Sequence, residues 1–264
     1  MIGDKVTPIR CLEFINGGIC VFDPDSIDDR GDLNLNNVAY EIADAVLYSN
    51  YFVYGLRVFV INVAGQIAAS DVNADGLTLT VADLVLLIRI ITGEASPITG
   101  KILPVDEPML LTTERLGNTT EIRSVTSDDI GGVHFVFDLK GAVSIDDVRL
   151  SADASNMNLG WAVENNQLRI LIHDTESERI SAGQNSLVEI VTSGEGSIEL
   201  VLADAADYNG RPYEVVAKSA EMPSTWTLDQ NYPNPFNPTT SISFSLADQA
   251  DWRLTIYNIN GAVV

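Results

Sequence analysis

The chain has 264 residues, 46% of them hydrophobic and 20% charged, which is length and apolar content for about two folded domains. Its 15 Lys and Arg stand against 37 Asp and Glu, a formal charge of −22. That balance excludes nucleic acid as a partner, because phosphate binding needs clustered cations, and disfavours anionic membrane surfaces; it suits a protein that meets metal cations or a basic partner.

Residues 1–26 read as a lead containing a hairpin. Cys11 and Cys20 flank 16-NGG-18, and a two-residue Asn16-Gly17 loop sets Cys20 opposite Glu13 and Cys11 opposite Phe22. The sulfurs are then not directly cross-strand, and whether they form a disulfide stays open. The opening MIGDKVTPIRCLEF has no apolar core and hence no expected signal peptide. The run 45-AVLYSNYFVYGLRVFVINVAG-65 carries Ser49, Asn50, Arg57 and Asn62, and an Arg in mid-membrane is costly. It reads as a helix followed by a strand at 56–61, and no transmembrane segment is expected.

Residues 27–99 form the next predicted unit. Aligning 32-DLNLNNVAYEIADAVLYSNYF-52 with 71-DVNADGLTLTVADLVLLIRII-91, an offset of 39, gives six identities without a gap. The chemistry matches better than the letters do. Asp32, Asn34 and Asn36 alternate with one residue between them, as do Asp71, Asn73 and Asp75, and a carboxylate follows at the thirteenth position as Asp44 or Asp83. Alternate side-chain oxygens point inward as a loop curls, which is how calcium collects its six to eight hard ligands. The backbone carbonyls of Val38 and Leu77 fill the seventh position. Gly76 supplies the positive φ of the sixth, and Asn37 is the next best residue for it. The competing reading is a pair of polar turns followed by capped helices, since Asp and Asn also serve there. Three carboxylates against two predict tighter binding in the second loop.

The second loop runs into 81-VADLVLLIRIITG-93, where Asp83, Arg89 and Thr92 alone are polar and Gly93 is a fitting stop. A helix apolar all round is buried or has an adhesive face. One side can pack on the repeat mate 41-EIADAVLYSNYF-52; the other must meet the strand 56-LRVFVI-61, a neighbouring domain or a partner protein. Two DxNxDG-type loops, each leading into a hydrophobic helix, resemble a dockerin, the calcium-binding partner of cohesin, over residues 27–95. The departures are a terminal Asp at position thirteen in place of twelve, a longer inter-repeat segment and Asn36-Asn37 in place of Asp-Gly. The resemblance implies two Ca²⁺ sites and partner-facing residues at the last loop positions: Glu41, Ile42, Thr80 and Val81. It also implies a cohesin-like module as partner, which the chain's own β-rich region could supply.

Residues 104–220 change periodicity. Strand runs at 133-VHFVFDL-139, 167-QLRILIHD-174, 187-LVEIVTS-193 and 197-SIELVLAD-204 are separated by turn signals at 117-GN-118, 131-GG-132, 165-NN-166 and 209-NG-210. Short strands at this spacing predict an all-β sandwich. The stretches 132-GVHFVFDL-139, 161-WAVENNQLRILI-172, 179-RISAGQNSLVEIV-191 and 200-LVLADAADYNGRPYEV-215 resemble a cohesin. Residues 224–264, in particular 228-LDQNYPNPFNPTTSISFSLADQADWRLTIYNINGAVV-264, resemble the start of a type IX secretion C-terminal sorting domain, an Ig-like β fold. They are read as a partial domain, with strands around Ile242-Phe244-Leu246 and Leu254-Ile256 and a turn at Asn260-Gly261. This resemblance implies a secreted or cell-surface fragment of a larger protein, delivered through the secretion machinery.

The expected fold class is thus multidomain α+β: a small helical part with two calcium loops, a β-sandwich and a partial Ig-like segment. No catalytic residues emerge. His134 and His173 lack metal-ligand spacing to a second His or Cys, and no GxSxG or Walker loop is present. The expected function is non-catalytic, calcium-dependent protein–protein interaction. The alternative is a carbohydrate-binding or adhesive sandwich, with polysaccharide as partner, Trp161 and Glu164 as possible sugar contacts and purely structural calcium loops.

Overall fold

The computed structural model describes residues 30–219 except 99 and 101, together with 12–15, 18–21, 227–228, 244–245, 253 and 255. The chain divides into two compact units, Met1–Lys218 and Ser219–Val264. In the first, β1 (Leu12–Ile15) and β2 (Gly18–Val21) pair antiparallel with Glu13 opposite Cys20; Asn16 and Gly17 lie outside the described residues. Cys11 lies outside the described residues.

The helical part contains α1 (Ile42–Tyr54), α2 (Val63–Ala69) and α3 (Val81–Ile91). Each long helix starts where its loop ends. Thr80 accepts from the Asp83 amide, and Glu41 and Asp44 exchange bonds as a capping box, so the orphan N–H groups of the first turns are satisfied. Gly93, at φ +83°, follows the Thr92 cap of α3. The expected strand at 56–61 is not formed. Gly55 at φ +74° ends α1, a 3₁₀ turn spans Gly55–Val58, and Phe59 alone of the run is buried while Leu56, Val60 and Ile61 face outward. Its β-branched, apolar run finds no neighbouring strand among the described residues, so local β propensity does not become β structure.

The β part is one antiparallel sheet of seven strands folded over a core. It contains β3 (Met109–Leu116), β4 (Thr119–Thr126), β5 (Ile130–Leu150), β6 (Asn158–Glu164), β7 (Gln167–His173), β8 (Gly183–Asp207) and β9 (Val215–Ser219). The order is β6-β7-β5-β8-β4-β3-β9. The segments 187–193 and 197–204, expected as separate strands, are one continuous strand. β5 and β8 pair from Ile130↔Asp207 to Leu150↔Val188, with register shifts where the sheet bends. One half of this long pair carries β7 and β6, and the other carries β4, β3 and β9.

Alternation explains why β5 and β7 read as nearly continuous apolar runs: their sheet is covered on both faces. Val133, Phe135, Phe137, Leu168, Ile170 and Ile172 enter the sandwich core. Leu171 of β7 and Ala206 of β8 instead join the core built by Tyr48, Phe52, Val81, Val85 and Leu86 of the helices. The helical and β parts therefore share a buried apolar interface. Asn165 and Asn166, both at positive φ, make the β6–β7 turn. Gly131-Gly132, expected as a turn, instead lies within β5, for a reason given below.

In the second unit β10 (Thr227–Leu228) pairs with β11 (Phe244–Ser245). Of the expected strand at 242–246 only Phe244 and Ser245 are described, and the expected strand at 254–256, Thr255 apart, and the turn at 260–261 lie outside the described residues.

Candidate docking interface and metal loops

The two loops have the same backbone. Leu35, Asn37 and Tyr40 in the first, and Ala74, Gly76 and Leu79 in the second, all have positive φ at matching positions 39 residues apart. Asn34 and Asn73 each donate a backbone N–H, at 3.0 Å, to Oδ1 of the thirteenth-position carboxylate, Asp44 or Asp83. Asp32 accepts from the amides of Asn36 (3.0 Å) and Asn37 (2.8 Å), and Asp71 accepts from Gly76 at 3.4 Å. Val38 and Leu77 donate their amides to the side chains two residues earlier, at 2.8 and 2.7 Å, and their own side chains are exposed. Hydrogen bonds thus tie the polar side chains of each loop, Asp32, Asn34, Asn36 and Asp44 or Asp71, Asn73, Asp75 and Asp83, to that loop's own backbone, with Val38 and Leu77 joined through their amides and not through the predicted carbonyls.

Asp83 is fully buried, and burial, with Asp71 and Asp75 nearby, pushes its carboxyl up to about 8; burial also raises Asp44. Among the described residues no group of three His, Cys, Asp or Glu side chains is placed to hold a metal ion. The side chains that share each loop are a mixture of carboxylates and amides, and the buried Asp83 beside Asp71 and Asp75 is the feature whose charge a hard divalent cation would relieve.

The remaining predicted residues separate into two kinds. Val81 is fully buried and donates its N–H to Asp204 Oδ2 at 2.7 Å, while the Thr80 carbonyl accepts from Tyr48 at 3.1 Å. Ile42 is 72% exposed, and Glu41 is occupied within its own loop by Asn34 and Asn36. The offset of 39 makes Ile42 and Val46 the counterparts of Val81 and Val85. Val46 is 55% exposed, whereas Val81 and Val85 are buried against the sheet.

Four glycines shape that seat. A Cβ on Gly132 would lie 2.9 Å from Val81 Cγ1, and one on Gly131 would lie 2.8 Å from Val85 Cγ1. On Gly160 it would meet Val53 Cγ2 at 3.0 Å, and on Gly210 Leu86 Cβ at 2.9 Å. The absent side chains let the helices lie close on the strands, which is the role of Gly131-Gly132 within β5.

Polar groups match the helix ends. Asp204 stands at the N-terminus of α3, and its carboxyl is pushed up to about 6 by burial beneath the helix. At the C-terminus of α1 the Phe52 carbonyl accepts from Arg169 Nε at 2.8 Å and from His134 Nε2 at 3.1 Å. An acid at the positive end of one helix and a guanidinium at the negative end of the other are the favourable pairings with helix dipoles. Burial first, and the Arg169 charge second, hold His134 down to about 3. Outer clasps complete the seam: Arg57 pairs with Glu164, Arg89 reaches Asn209 at 3.1 Å, and the Arg89 guanidinium lies 4.7 Å from the Tyr208 ring centroid.

Sequence reasoning missed His134, Arg169, Asp204 and the glycine seat, because they come from separate strands and share no local spacing. Trp161 and Glu164 lie three apart on β6 and so point to opposite faces. Phe135 and Phe137 are core residues. Among the described residues no helix is long and apolar enough to cross a membrane.

No protein-family model matches the chain, and no curated protein matches it. Among solved structures it is similar to cohesin modules. A non-cellulosomal cohesin from Archaeoglobus fulgidus is 18% identical, covering 42% of this chain and 86% of its own, with a TM-score of 0.36. A type I cohesin–dockerin complex from Clostridium thermocellum gives 14% identity, 45% and 94% coverage and a TM-score of 0.37. A cohesin module of a Clostridium perfringens family 33 glycoside hydrolase gives 14%, 42% and 96%, with a TM-score of 0.31.

Proposed function

We propose that this region is a non-catalytic, calcium-organised protein–protein docking module of a secreted or cell-surface bacterial protein. Its second repeat is docked on its own sandwich, and its first repeat is held outward for a cohesin-type partner. The observation that carries this reading is the unequal use of equivalent residues: Val81 and Val85 seat on a glycine-floored sheet, while Ile42 and Val46 lie exposed. An exposed apolar pair at a helix start, related by an internal repeat to a buried one, is a second copy of the same adhesive surface.

Calcium's part is to fix the loops. Asp32, Asn34, Asn36, Asp44 and the Val38 carbonyl would hold one ion, and Asp71, Asn73, Asp75, Asp83 and the Leu77 carbonyl the other, with the three-carboxylate loop the tighter. When bound, the cation neutralises the buried acids and contributes its binding free energy to folding. The C-terminal segment 224–264 serves delivery through the secretion machinery, a reading supported by its resemblance to sorting domains.

Calorimetric titration of Ca²⁺ into the chelator-stripped chain tests the core of this reading. Two binding events are expected, the tighter one lost in an Asp71→Ala/Asp83→Ala variant. Immobilised cohesin modules are then expected to retain the calcium-loaded chain and to lose an Ile42→Asp/Val46→Asp variant. Absence of calcium binding would leave a structural repeat only and sink the proposal.

A further inference from the structure

We propose that the free edge of β6 is a pairing seam for a second copy of this chain, which joins antiparallel to extend the sheet. Among the described residues β6 and β9 are the two edges of the seven-stranded sheet. Natural edges are blunted by lysine, proline, bulges or shortness. β9, Val215–Ser219, is only five residues long. β6, Asn158–Glu164, is seven residues long, has neither lysine nor proline, and keeps an unbroken register with β7 from Asn158↔His173 to Glu164↔Gln167. It also exposes apolar side chains: Trp161 is 36% and Val163 43% exposed, and both lie on the strand face that Leu159 turns toward the sandwich core.

The occupant follows from charge and register. A chain of charge −22 repels its own copies over most of its surface. β6 is a quiet stripe on that surface, with Glu164 its one charge, already paired with Arg57. The sequence 158-NLGWAVE-164 is also complementary to itself. Two copies paired antiparallel about a two-fold axis at Trp161 set Leu159 opposite Val163 of the second copy and Asn158 opposite Glu164. Every apolar residue of the exposed face then meets an apolar residue, and no two carboxylates stand opposite each other. The contact is isologous and uses up the β6 edge of both copies, leaving the short β9 as the outer edge of the joined sheet. Main-chain hydrogen bonds supply the attraction, as in strand addition generally, and the docked helix face on the other side of Trp161 is not used.

The test is made on the full calcium-loaded chain, by sedimentation together with residue-resolved amide exchange over 158–164 at low and high concentration. The expected result is a mass that rises to twice that of the chain, with the outward amides of β6 becoming protected as it rises. Val163→Lys is expected to abolish both effects while near-ultraviolet circular dichroism is unchanged. The register is tested by charge: Asn158→Glu, which faces Glu164 of the second copy, weakens the dimer at least tenfold, and Asn158→Lys strengthens it. A chain that stays monomeric with unprotected β6 amides overturns the proposal. So does a dimer that survives Val163→Lys. Protection at every concentration in a monomer also overturns it, assigning the edge to another strand of the same chain.

Discussion

His134 donates its Nε2 hydrogen to the carbonyl of Phe52 across 3.1 Å, joining strand β5 to the last turn of α1 from 82 residues away. A carbonyl can only accept, so the ring is fixed as the Nε2–H tautomer, and the Phe52 ring stacks edge-on against the imidazole at 5.0 Å. The same carbonyl takes the Arg169 bond, so the end of the helix is held by two side chains of the sheet.

This contact predicts an acid-sensitive dock. His134 is held at about 3 in the folded chain against 6.5 when exposed. Between those values the unfolded chain binds a proton that the folded chain refuses. The His134 contribution is therefore complete above pH 6.5 and is lost as pH falls toward 3. The charged and titratable groups around it are Arg169 on β7, its cross-strand neighbour Asp204 on β8, and Tyr51 on α1, whose hydroxyl burial keeps neutral. Asp204 has the opposite sign, since its raised carboxyl favours folding as pH drops from about 6 toward 3.8. Comparing wild type with His134→Gln cancels that term. Moving from pH 7 to 4.5, urea denaturation is expected to show the variant gaining about 2–3 kcal/mol on the wild type. Equal pH dependence in both proteins would remove His134 from the account.

The glycine seat predicts a coupling between sheet and helix. Gly132→Ala forces its new methyl against Val81 Cγ1 and is expected to cost about 1–3 kcal/mol. In a Val81→Ala background the cost should shrink by about 1 kcal/mol, because the clash is with a removable side chain. Gly131→Ala behaves differently: its Cβ would lie 2.7 Å from the Asp207 carbonyl oxygen, and no side-chain truncation opens backbone. A double-mutant cycle in denaturant distinguishes the two positions.

The loops predict a residue order at their sixth position. Gly76 has φ +89° with nothing within 4 Å of its Cβ direction, and Asn37 has φ +67°. Replacing Gly76 by Ala therefore costs only backbone strain, about 1 kcal/mol, and replacement by Asn costs less. Asn37→Ala should lose stability while Asn37→Gly does not. Thermal denaturation of the four variants reads the order directly, and an Ala that ranks above Asn in either loop contradicts it.

The repeats were legible because loop chemistry is local: alternate oxygens, a permissive sixth residue and a carboxylate at a helix start all fall within thirteen positions. The long helices and the β6–β7 turn at Asn165-Asn166 were legible for the same reason. What failed was decided at a distance. Gly131-Gly132 reads as a turn until Val81 and Val85 are seen to need its missing side chains. The run 56-LRVFVI-61 has the apolar, β-branched composition of a strand but no strand to join among the described residues. The segments around 187–193 and 197–204 are one strand because β5 runs alongside the whole of it, which no spacing within β8 announces.

The order of the contacts along the chain has a consequence for biogenesis. Phe52 waits for His134 and Arg169, 82 and 117 residues later, and Val81 waits for Asp204, 123 residues later. A ribosome therefore finishes the helices long before it makes the surface that receives them. In that interval the apolar faces of α1 and α3 have only each other and the nearby Leu33, Phe59 and Val72 to pack against, and their contacts with Leu171 and Ala206 of the sheet must come later.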